Sequence, residues 1–270
     1  MNKTVKDLMH KGLILCPPNA SLGKVASLLT EYHVHALIVA ESADKPLGII
    51  SDFDLLAGEW LSVDEKSLEA MRKMTARDLM TAPIESIEAG TPVDDAAKTM
   101  IAKQIHRMMV VEKESPVGIA SISNFVADIA AQEQTRRGTV GDVMSDTLLV
   151  CRDKTTVLSA ARTMTQAGWR SVVVVDAKGK PLGVVTGNDM LQFAGKVVDE
   201  SVTVSEVMNR NLLTVDMNAS LQEAADLMIQ NHKHRVIVID SSNPDNFPLG
   251  VISSFDIVAE MAKPGSIWQS

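Results

Sequence analysis

A short motif that joins a hydroxyl residue to an acid or amide three positions later occurs four times. The pairs are Ser51 with Asp54, Ser121 with Asn124, Thr186 with Asp189, and Ser253 with Asp256. Each pair follows an apolar run that begins at a glycine, which places the hydroxyl at a strand end and the acid in the first turn of a helix. The glycine permits close approach of another backbone.

This junction contains the groups that recognise a nucleotide. Helix N-termini offer unpaired N–H groups to phosphate, and a hydroxyl can add another donor. A carboxylate accepts hydrogen bonds from both hydroxyls of a ribose. The same spacing is also that of an ordinary helix cap, so one copy alone favours neither interpretation strongly. Asn124 lacks the charge and one acceptor, which predicts a weak or empty site at Ser121 and Asn124.

Basic residues stand just before a buried strand in each copy. We call these residues the basic column: His35, His106 with Arg107, Arg170, and His234 with Arg235. Arginine presents a fork of donors that fits phosphate, and histidine adds a donor whose charge changes near neutral pH. The alternatives are a solvated strand edge or an interface ion pair. Phosphate binding by these residues would favour a phosphorylated ligand.

Two markers in phase show that these features belong to repeats. The motif glycines recur every 65 to 70 residues, and a Met-ending triplet recurs every 64 to 71 residues, as "DLM" at Asp7 and Asp78, "DVM" at Asp142 and "EVM" at Glu206. Each repeat has an apolar run, a helical pattern, two apolar runs and a second helical pattern. The order is therefore β-α-β-β-α, an α/β (α+β) fold. The predicted repeats are residues 1–60, 74–132, 138–197 and 202–264.

The fourth repeat shows the helical pattern well. Its apolar residues from Leu221 to Met228 fall on one helix face, and Ser220 with Glu223 has the spacing of a capping box. A unit of this size buries too little surface to be stable alone. We therefore expect the repeats to pair, with residues 1–135 forming one module and residues 136–270 the other.

Composition argues against several classes of protein. A net charge of −8 and 3% aromatic residues disfavour phosphate-driven nucleic-acid binding and base stacking. No apolar run is long enough to cross a bilayer, and the N-terminus lacks the apolar core of a secretory signal, so we expect a cytoplasmic protein without membrane insertion. Cys16 and Cys151 are expected to be small buried hydrophobes. No catalytic constellation is visible, and no metal site is predicted, although "HVH" and "HKH" have a ligand-like spacing.

The element order, the "DLM/DVM" opening and the Gly-containing motif resemble the cystathionine β-synthase (CBS) domain, four times over. The layout is similar to that of the AMP-activated protein kinase γ subunit. The resemblance implies two Bateman modules, each a pair of CBS domains, arranged as a flat disc. It also implies a regulatory protein without chemistry of its own, which binds AMP, ADP, ATP or S-adenosylmethionine between paired domains.

The resemblance further implies how the site residues combine. In the similar γ subunit, the acid of one domain works with the His-Arg pair of its partner. Carried over, the combinations are Asp54 with His106 and Arg107, Asp189 with His234 and Arg235, Asp256 with Arg170, and Asn124 with His35. Two strong sites, one intermediate site and one poor site are therefore expected.

Three hypotheses follow for function. The first is a sensor of adenosine nucleotides that passes occupancy to an effector protein or to a second copy of the chain. The second is a ligand-independent scaffold in which the motifs serve only as helix caps, and an S-adenosylmethionine-binding module is a variant of the first. The third, an enzyme, is not expected because no catalytic constellation is visible, and the nucleotide would be a ligand, not a catalytic cofactor.

Overall fold

The computed structural model describes residues 3–60, 65–132, 138–190, 201–243 and 247–265. All four repeats have the predicted β-α-β-β-α order, which confirms the fold class. The last helix of the third repeat is described only to Met190, so the predicted repeat end at 197 lies outside the described residues. The elements in repeat order are β2 Leu15–Cys16, α2 Leu22–Glu31, β3 Ala36–Ser42, β4 Lys45–Ser51 and α3 Asp52–Trp60; β5 Ser86–Glu88, α6 Val93–Ala102, β6 Arg107–Glu112, β7 Ser115–Ser121 and α7 Ile122–Ala130; β8 Val150–Arg152, α9 Val157–Ala167, β9 Ser171–Val175, β10 Pro181–Thr186 and α10 Gly187–Met190; β11 Thr214–Asp216, α12 Leu221–Gln230, β12 Arg235–Ile239, β13 Pro248–Ser253 and α13 Ser254–Met261.

Each repeat builds a small mixed sheet around its second strand. The first strand runs parallel to the second, and the third pairs with the second antiparallel. The unbroken apolar runs are these central strands. In β9, for example, the four residues Val172–Val175 are each at most 6% exposed, so both faces of the strand are covered.

The first helix of each repeat covers its sheet with an apolar face. In α12 the buried residues are Leu221, Ala224, Ala225 and Met228, and Ser220 accepts a hydrogen bond from the Glu223 N–H, as the capping box predicts. Met100 and Met164 are fully buried in the equivalent helices. Cys16 is buried and Cys151 is partly buried, and burial raises the pKa of both thiols.

The "DLM" triplets belong to short opening helices that begin at a threonine. In each, the threonine N–H and hydroxyl donate to the acid three residues later, which forms a capping box. We call each such helix with the few residues after it an opening segment. The helices are α1 Val5–Leu8, α5 Ala76–Leu79, α8 Val140–Val143 and α11 Val204–Val207. The linker between the first two repeats also contains a helix, α4 Glu65–Arg72.

Each opening segment packs on the repeat next to the one that it begins. The first contributes a short strand, β1 His10–Lys11, to the sheet edge at β7. The other three each form a single β-bridge with a Gly-containing strand. These bridges are Thr81 to Ile49, Ser145 to Val251 and Asn209 to Val184. Sequence order alone assigns each opening segment to its own repeat. The structure shows instead that repeats 1 and 2, and likewise repeats 3 and 4, exchange their opening segments.

The motif glycines are required by this exchange. A Cβ on Gly48 would lie 2.5 Å from the Met80 Sδ and 2.8 Å from the Thr81 carbonyl oxygen. At Gly183, a Cβ would meet the Met208 Sδ and the backbone carbonyl of the following residue, each at 2.8 Å. The close approach predicted for the glycines is therefore made by the opening segment of a neighbouring repeat. The motif glycines and the Met-ending triplets, the two markers that recur in phase, are therefore in contact with each other.

The chain divides into two compact units, which do not follow the sequence order. Unit 1 comprises Met1–Leu13, Glu85–Leu148 and Leu213–Ser270, and unit 2 comprises Ile14–Ile84 and Leu149–Leu212. Unit 1 thus contains the sheets of repeats 2 and 4, and unit 2 contains those of repeats 1 and 3. The division into modules at residues 1–135 and 136–270 stays a prediction.

The capping boxes of the opening segments predict a loss of stability in acid. Hydrogen bonds from the backbone N–H and the hydroxyl of the preceding threonine lower the pKa of Asp7, Asp78 and Asp142 below the ordinary value of 3.8. A carboxyl whose pKa is lower in the folded state stabilises the fold fully above its unfolded pKa, and the contribution is lost as pH falls through the folded value. Urea unfolding at pH values from 7 to 2 should therefore show stability falling below about pH 4.

The matched variant for this experiment is the triple substitution Asp7→Asn, Asp78→Asn and Asp142→Asn. An amide oxygen can still accept the cap bonds but does not titrate in this range. We expect a shallower dependence of stability on acid than in the wild type. An identical dependence would show that these three carboxyls are not responsible.

Candidate functional site

The four motifs form helix caps of one geometry. The Oδ2 of Asp54 accepts hydrogen bonds from the N–H and the hydroxyl of Ser51, both at 2.7 Å. Asp189 and Asp256 accept the equivalent pairs of bonds from Thr186 and Ser253 at 2.6 to 2.8 Å. The helix-cap interpretation of the motif is therefore correct in every described copy, whatever else the acids do.

In this geometry, the hydroxyl and the two carboxylate oxygens of the motif have different roles. The Ser51 hydroxyl donates its only proton to the carboxylate, so it is not available to phosphate while this bond is made. The carboxylate uses one oxygen for the cap. In the described part of the chain, the Oδ1 atoms of Asp54 and Asp256 receive no hydrogen bond, and both residues are half-buried. Each of these acids is thus fixed in place with one acceptor oxygen remaining for a ligand.

The second repeat keeps the cap and loses the charge. The Oδ1 of Asn124 accepts from the N–H and the hydroxyl of Ser121, both at 2.8 Å. Its remaining terminal atom is an amide nitrogen, a donor, where the other repeats have an acceptor. The amide therefore preserves the fold of the junction but changes what it can bind.

The strand register brings the basic column to the same end of the sheet as the motifs. Arg107 lies opposite Ser121 and Arg235 lies opposite Ser253 in the antiparallel ladders of β6 with β7 and β12 with β13. Directly opposed residues project to the same face, with Cβ atoms about 5 Å apart. In repeats 2 and 4, the arginine and the motif hydroxyl are therefore neighbours within one repeat.

Contacts between repeats enlarge the cluster in unit 1. The His106 ring lies 5.2 Å from that of Phe255 between centroids, at an interplanar angle of 49°. The Nδ1 of His234 lies 3.3 Å from the Ser123 hydroxyl oxygen. Each histidine thus touches the residue that precedes Asn124 or Asp256 in the other repeat, and unit 1 combines two His-Arg pairs with two motifs.

Unit 2 brings together the motifs of repeats 1 and 3 in the same way. The Arg170 guanidinium carbon lies 4.8 Å from the centroid of the Phe53 ring, and Phe53 directly precedes Asp54. Unit 2 carries two motif acids, Asp54 and Asp189, but only one arginine in its basic column. The predicted combinations of acid and basic residue stay predictions.

His35 differs from the other members of the basic column. Its Nδ1 lies 2.9 Å from the Oδ2 of Asp52, a nearly buried acid that follows Ser51. The other repeats have isoleucine, glycine or serine at that position. This contact occupies one ring nitrogen of His35, and the poor site expected there stays a prediction.

The histidines of "HVH" and "HKH" do not alternate along a strand. His33 and His232 have φ near +51° and lie in the turns that follow α2 and α12, so strand alternation does not apply to "HVH" and "HKH". Within the described ranges, no group of three or more His, Cys, Asp or Glu side chains could hold a metal ion.

One cavity lies away from these residues. It has a volume of about 470 Å³ in unit 2 and lies at the opposite end of the sheet of repeat 1, between Pro18, Glu41 and Arg77. Arg77 and Glu41 form an exposed ion pair across it, at 3.3 Å. The cavity contains none of the predicted site residues. In the part of the chain that is described, no helix has the length and apolar character needed to span a membrane.

Reasoning from the sequence missed Asp52, Phe53, Ser123 and Phe255. They fill the two positions between hydroxyl and acid, to which the sequence pattern assigns no role. The available signal was the aromatic residue before the acid in repeats 1 and 4. Its partners in other repeats could not be seen without the fold.

The CBS domain family matches residues 5–58, 76–131, 140–196 and 204–263. The uncharacterized protein MJ1404 of Methanocaldococcus jannaschii is 26% identical over 201 residues, which cover 73% of this chain and 46% of that protein. The chain thus spans about half the length of this relative.

Two further relatives cover much of the chain. The uncharacterized protein MJ1225 of M. jannaschii is 20% identical over 96% of this chain and 99% of its own length. Its crystal structure, described as that of a suggested archaeal homologue of g-AMPK, superposes with a TM-score of 0.83 over 95% of this chain and 99% of that chain, at 19% identity, which shows a common fold. The chloroplastic protein CBSX2 of Arabidopsis thaliana is 26% identical over 73% of this chain and 66% of its own length. The family matches cover most of the sequence in four tandem copies, and the chain belongs to the CBS domain family.

Proposed function

We propose that this chain is a regulatory protein that binds adenosine nucleotides (AMP, ADP or ATP) between paired CBS domains. The observation that carries the proposal is the fixed carboxylate of the motif. In Asp54 and Asp256, one oxygen is used by the helix cap and the other receives no hydrogen bond from the described residues. An ionised carboxylate held in this way is suited to accept hydrogen bonds from ribose hydroxyls.

The basic column supports a phosphorylated ligand. His106, Arg107, His234 and Arg235 lie at the motif end of their sheets, where charge-assisted bonds to phosphate would form. S-adenosylmethionine carries no phosphate and would leave these cations without a ligand group. We therefore place AMP, ADP or ATP before S-adenosylmethionine. The acids and the His-Arg pairs would act in the combinations that the family resemblance implies.

Regulation would follow from unequal affinity for two arrangements of the domains. A ligand that binds one arrangement more tightly shifts the population toward it, and a partner that recognises this arrangement then responds. The partner would be an effector protein or a second copy of the chain. No step of this mechanism requires chemistry on the nucleotide.

A scaffold without a ligand is the second candidate. The observation in its favour is that every motif hydroxyl and acid already has a structural role in a capping box. In that case the acids would serve the fold alone, and the basic column would form contacts between repeats.

Thermal unfolding in the presence of ligands separates the two candidates. Protein freed of bound ligand by unfolding and refolding would be heated with AMP, ADP, ATP, adenosine or S-adenosylmethionine. A nucleotide at 100 times its Kd should raise the free energy of unfolding by about 2.7 kcal/mol and raise Tm accordingly. GTP serves as the control for nonspecific phosphate binding. An unchanged Tm with every adenosine compound would favour the scaffold, and mass spectrometry of the protein before unfolding would identify any ligand that purifies with it.

A further inference from the structure

Two phenylalanines contact basic residues at positions of the motif that have no assigned role. Phe53 lies under the Arg170 guanidinium, at 4.8 Å from ring centroid to guanidinium carbon. Phe255 lies against the His106 ring, at 5.2 Å between centroids. The first contact joins repeats 1 and 3 within unit 2, and the second joins repeats 2 and 4 within unit 1. Both phenylalanines directly precede a motif acid.

The rings of Phe53 and Phe255 are fixed in place by apolar core residues. Phe53 packs against the apolar cluster of repeats 1 and 3, and Phe255 packs against that of repeats 2 and 4. Both are half-buried and followed by an acid that is fixed by its cap. A rigid ring that faces a long or rotatable basic side chain limits the orientations of that side chain.

An aromatic contact leaves the donors of the Arg170 guanidinium usable. A guanidinium that lies against a ring face is attracted by the π electrons, while its N–H groups remain directed outward along the guanidinium plane. A salt bridge would instead occupy those N–H groups and cancel the charge that phosphate requires. The same motif position in repeat 2 is Ser123, which bonds His234 through a hydroxyl, so the aromatic device is specific to repeats 1 and 4.

We propose that Phe53 and Phe255 are positioning residues that hold Arg170 and His106 for the phosphate of a bound nucleotide. This inference rests on the proposed function and adds a determinant of specificity to it. The rings do not touch the ligand in this scheme. They decide how much better a phosphorylated nucleoside binds than the nucleoside alone.

The test compares AMP with adenosine, because only AMP reports on the phosphate contacts. Isothermal titration calorimetry would be performed on the wild type, Phe53→Leu and Phe255→Leu. Leucine keeps an apolar side chain against the core and removes the ring. Phe53→Leu should bind AMP at one site about 5- to 30-fold more weakly, in line with the strength of cation–π contacts, and Phe255→Leu about 2- to 10-fold more weakly, in line with the strength of aromatic pairs. Both variants should bind adenosine within about twofold of the wild type.

Three control proteins make the result specific. Phe247→Leu removes an exposed ring near the other end of β13 and should leave both affinities unchanged. Phe53→Tyr keeps a ring and should retain the preference for AMP. In the Arg170→Gln background, Phe53→Leu should change AMP affinity by less than about twofold, because a residue that acts through Arg170 has no further effect once Arg170 is gone.

Several outcomes would overturn the inference, and one of them would also remove its basis. Equal weakening of AMP and adenosine by Phe53→Leu, loss of the AMP preference in Phe53→Tyr, or an undiminished effect in the Arg170→Gln background would each show a structural role only. A wild type that prefers AMP and a Phe53→Leu variant that keeps this preference would refute the inference alone. A wild type that binds no adenosine compound would refute the proposed function and this inference together.

Discussion

Replacing Gly48 with alanine is expected to lower the free energy of unfolding by about 1–3 kcal/mol, the usual cost of overpacking a filled site. The added methyl group would lie 2.5 Å from the Met80 Sδ and 2.8 Å from the Thr81 carbonyl oxygen. The methionine can rotate away, but the carbonyl belongs to a bridge in which Ile49 and Thr81 exchange hydrogen bonds of 2.9 and 3.0 Å. The opening segment of repeat 2 would have to move off the strand.

The matched control is the same substitution at Gly23 in α2. No atom lies within 4 Å of a Cβ built there, and alanine is the better helix former by about 1 kcal/mol. Gly23→Ala should therefore stabilise the protein while Gly48→Ala destabilises it. Urea unfolding of the two variants measures the change in the free energy of unfolding for each. A Gly48→Ala variant as stable as the wild type would mean that the segment from Thr75 to Thr81 does not pack against Gly48 as described.

The repeats and their elements could be predicted because they depend on local patterns. The apolar face of α12 from Leu221 to Met228 and the capping box at Ser220 each lie within a few residues of sequence, and the structure confirms them. The apolar strands were equally clear, since an unbroken apolar run such as Val172–Val175 is typical of a strand with both faces buried. Local hydrophobic period and cap chemistry were sufficient for the β-α-β-β-α order.

The contacts between repeats could not be predicted in this way. The recurrence of the motif glycines and of the "DLM" triplets indicates that both are important. The length of the repeat does not show, however, which triplet contacts which glycine. Met80 contacts Gly48 of the preceding repeat, and Met9 contacts Gly118 of the following one. The joining of Phe53 to Arg170 is equally long-range, and it depends on helix packing within unit 2 and not on spacing.

The sequence placed the motif hydroxyls at strand ends and the basic column just before a strand, and the register brings Arg107 beside Ser121 and Arg235 beside Ser253. The sequence did not predict how the acids are used there. Ser/Thr-x-x-Asp was treated as either a helix cap or a ligand site, and the structure shows that the cap takes only one oxygen of Asp54. The two roles are therefore compatible. An experiment on the acids must separate them, and a substitution that removes the whole side chain cannot do so.

Asp54→Asn is expected to weaken nucleotide binding at one site by about 10- to 100-fold and to leave folding stability within about 0.5 kcal/mol of the wild type. The protein itself supplies the reason, because Asn124 forms the same cap as the acids through its Oδ1, at 2.8 Å from both the N–H and the hydroxyl oxygen of Ser121. The amide preserves the cap bonds but replaces the second acceptor and the charge with a donor. Calorimetric titration with AMP measures the affinity, and urea unfolding measures the stability.

The reverse substitution completes the argument. Asn124→Asp restores a carboxylate at the one motif that lacks it and should strengthen binding at the weakest site, which would appear as an added or tighter class of sites in the same titration. Asp54→Ala, which removes cap and acceptor together, should lose both binding and about 1 kcal/mol of stability. Unchanged affinity and stoichiometry in both Asp54→Asn and Asn124→Asp would assign these acids to the helix caps alone, because neither the loss nor the gain of the second oxygen would then affect the ligand.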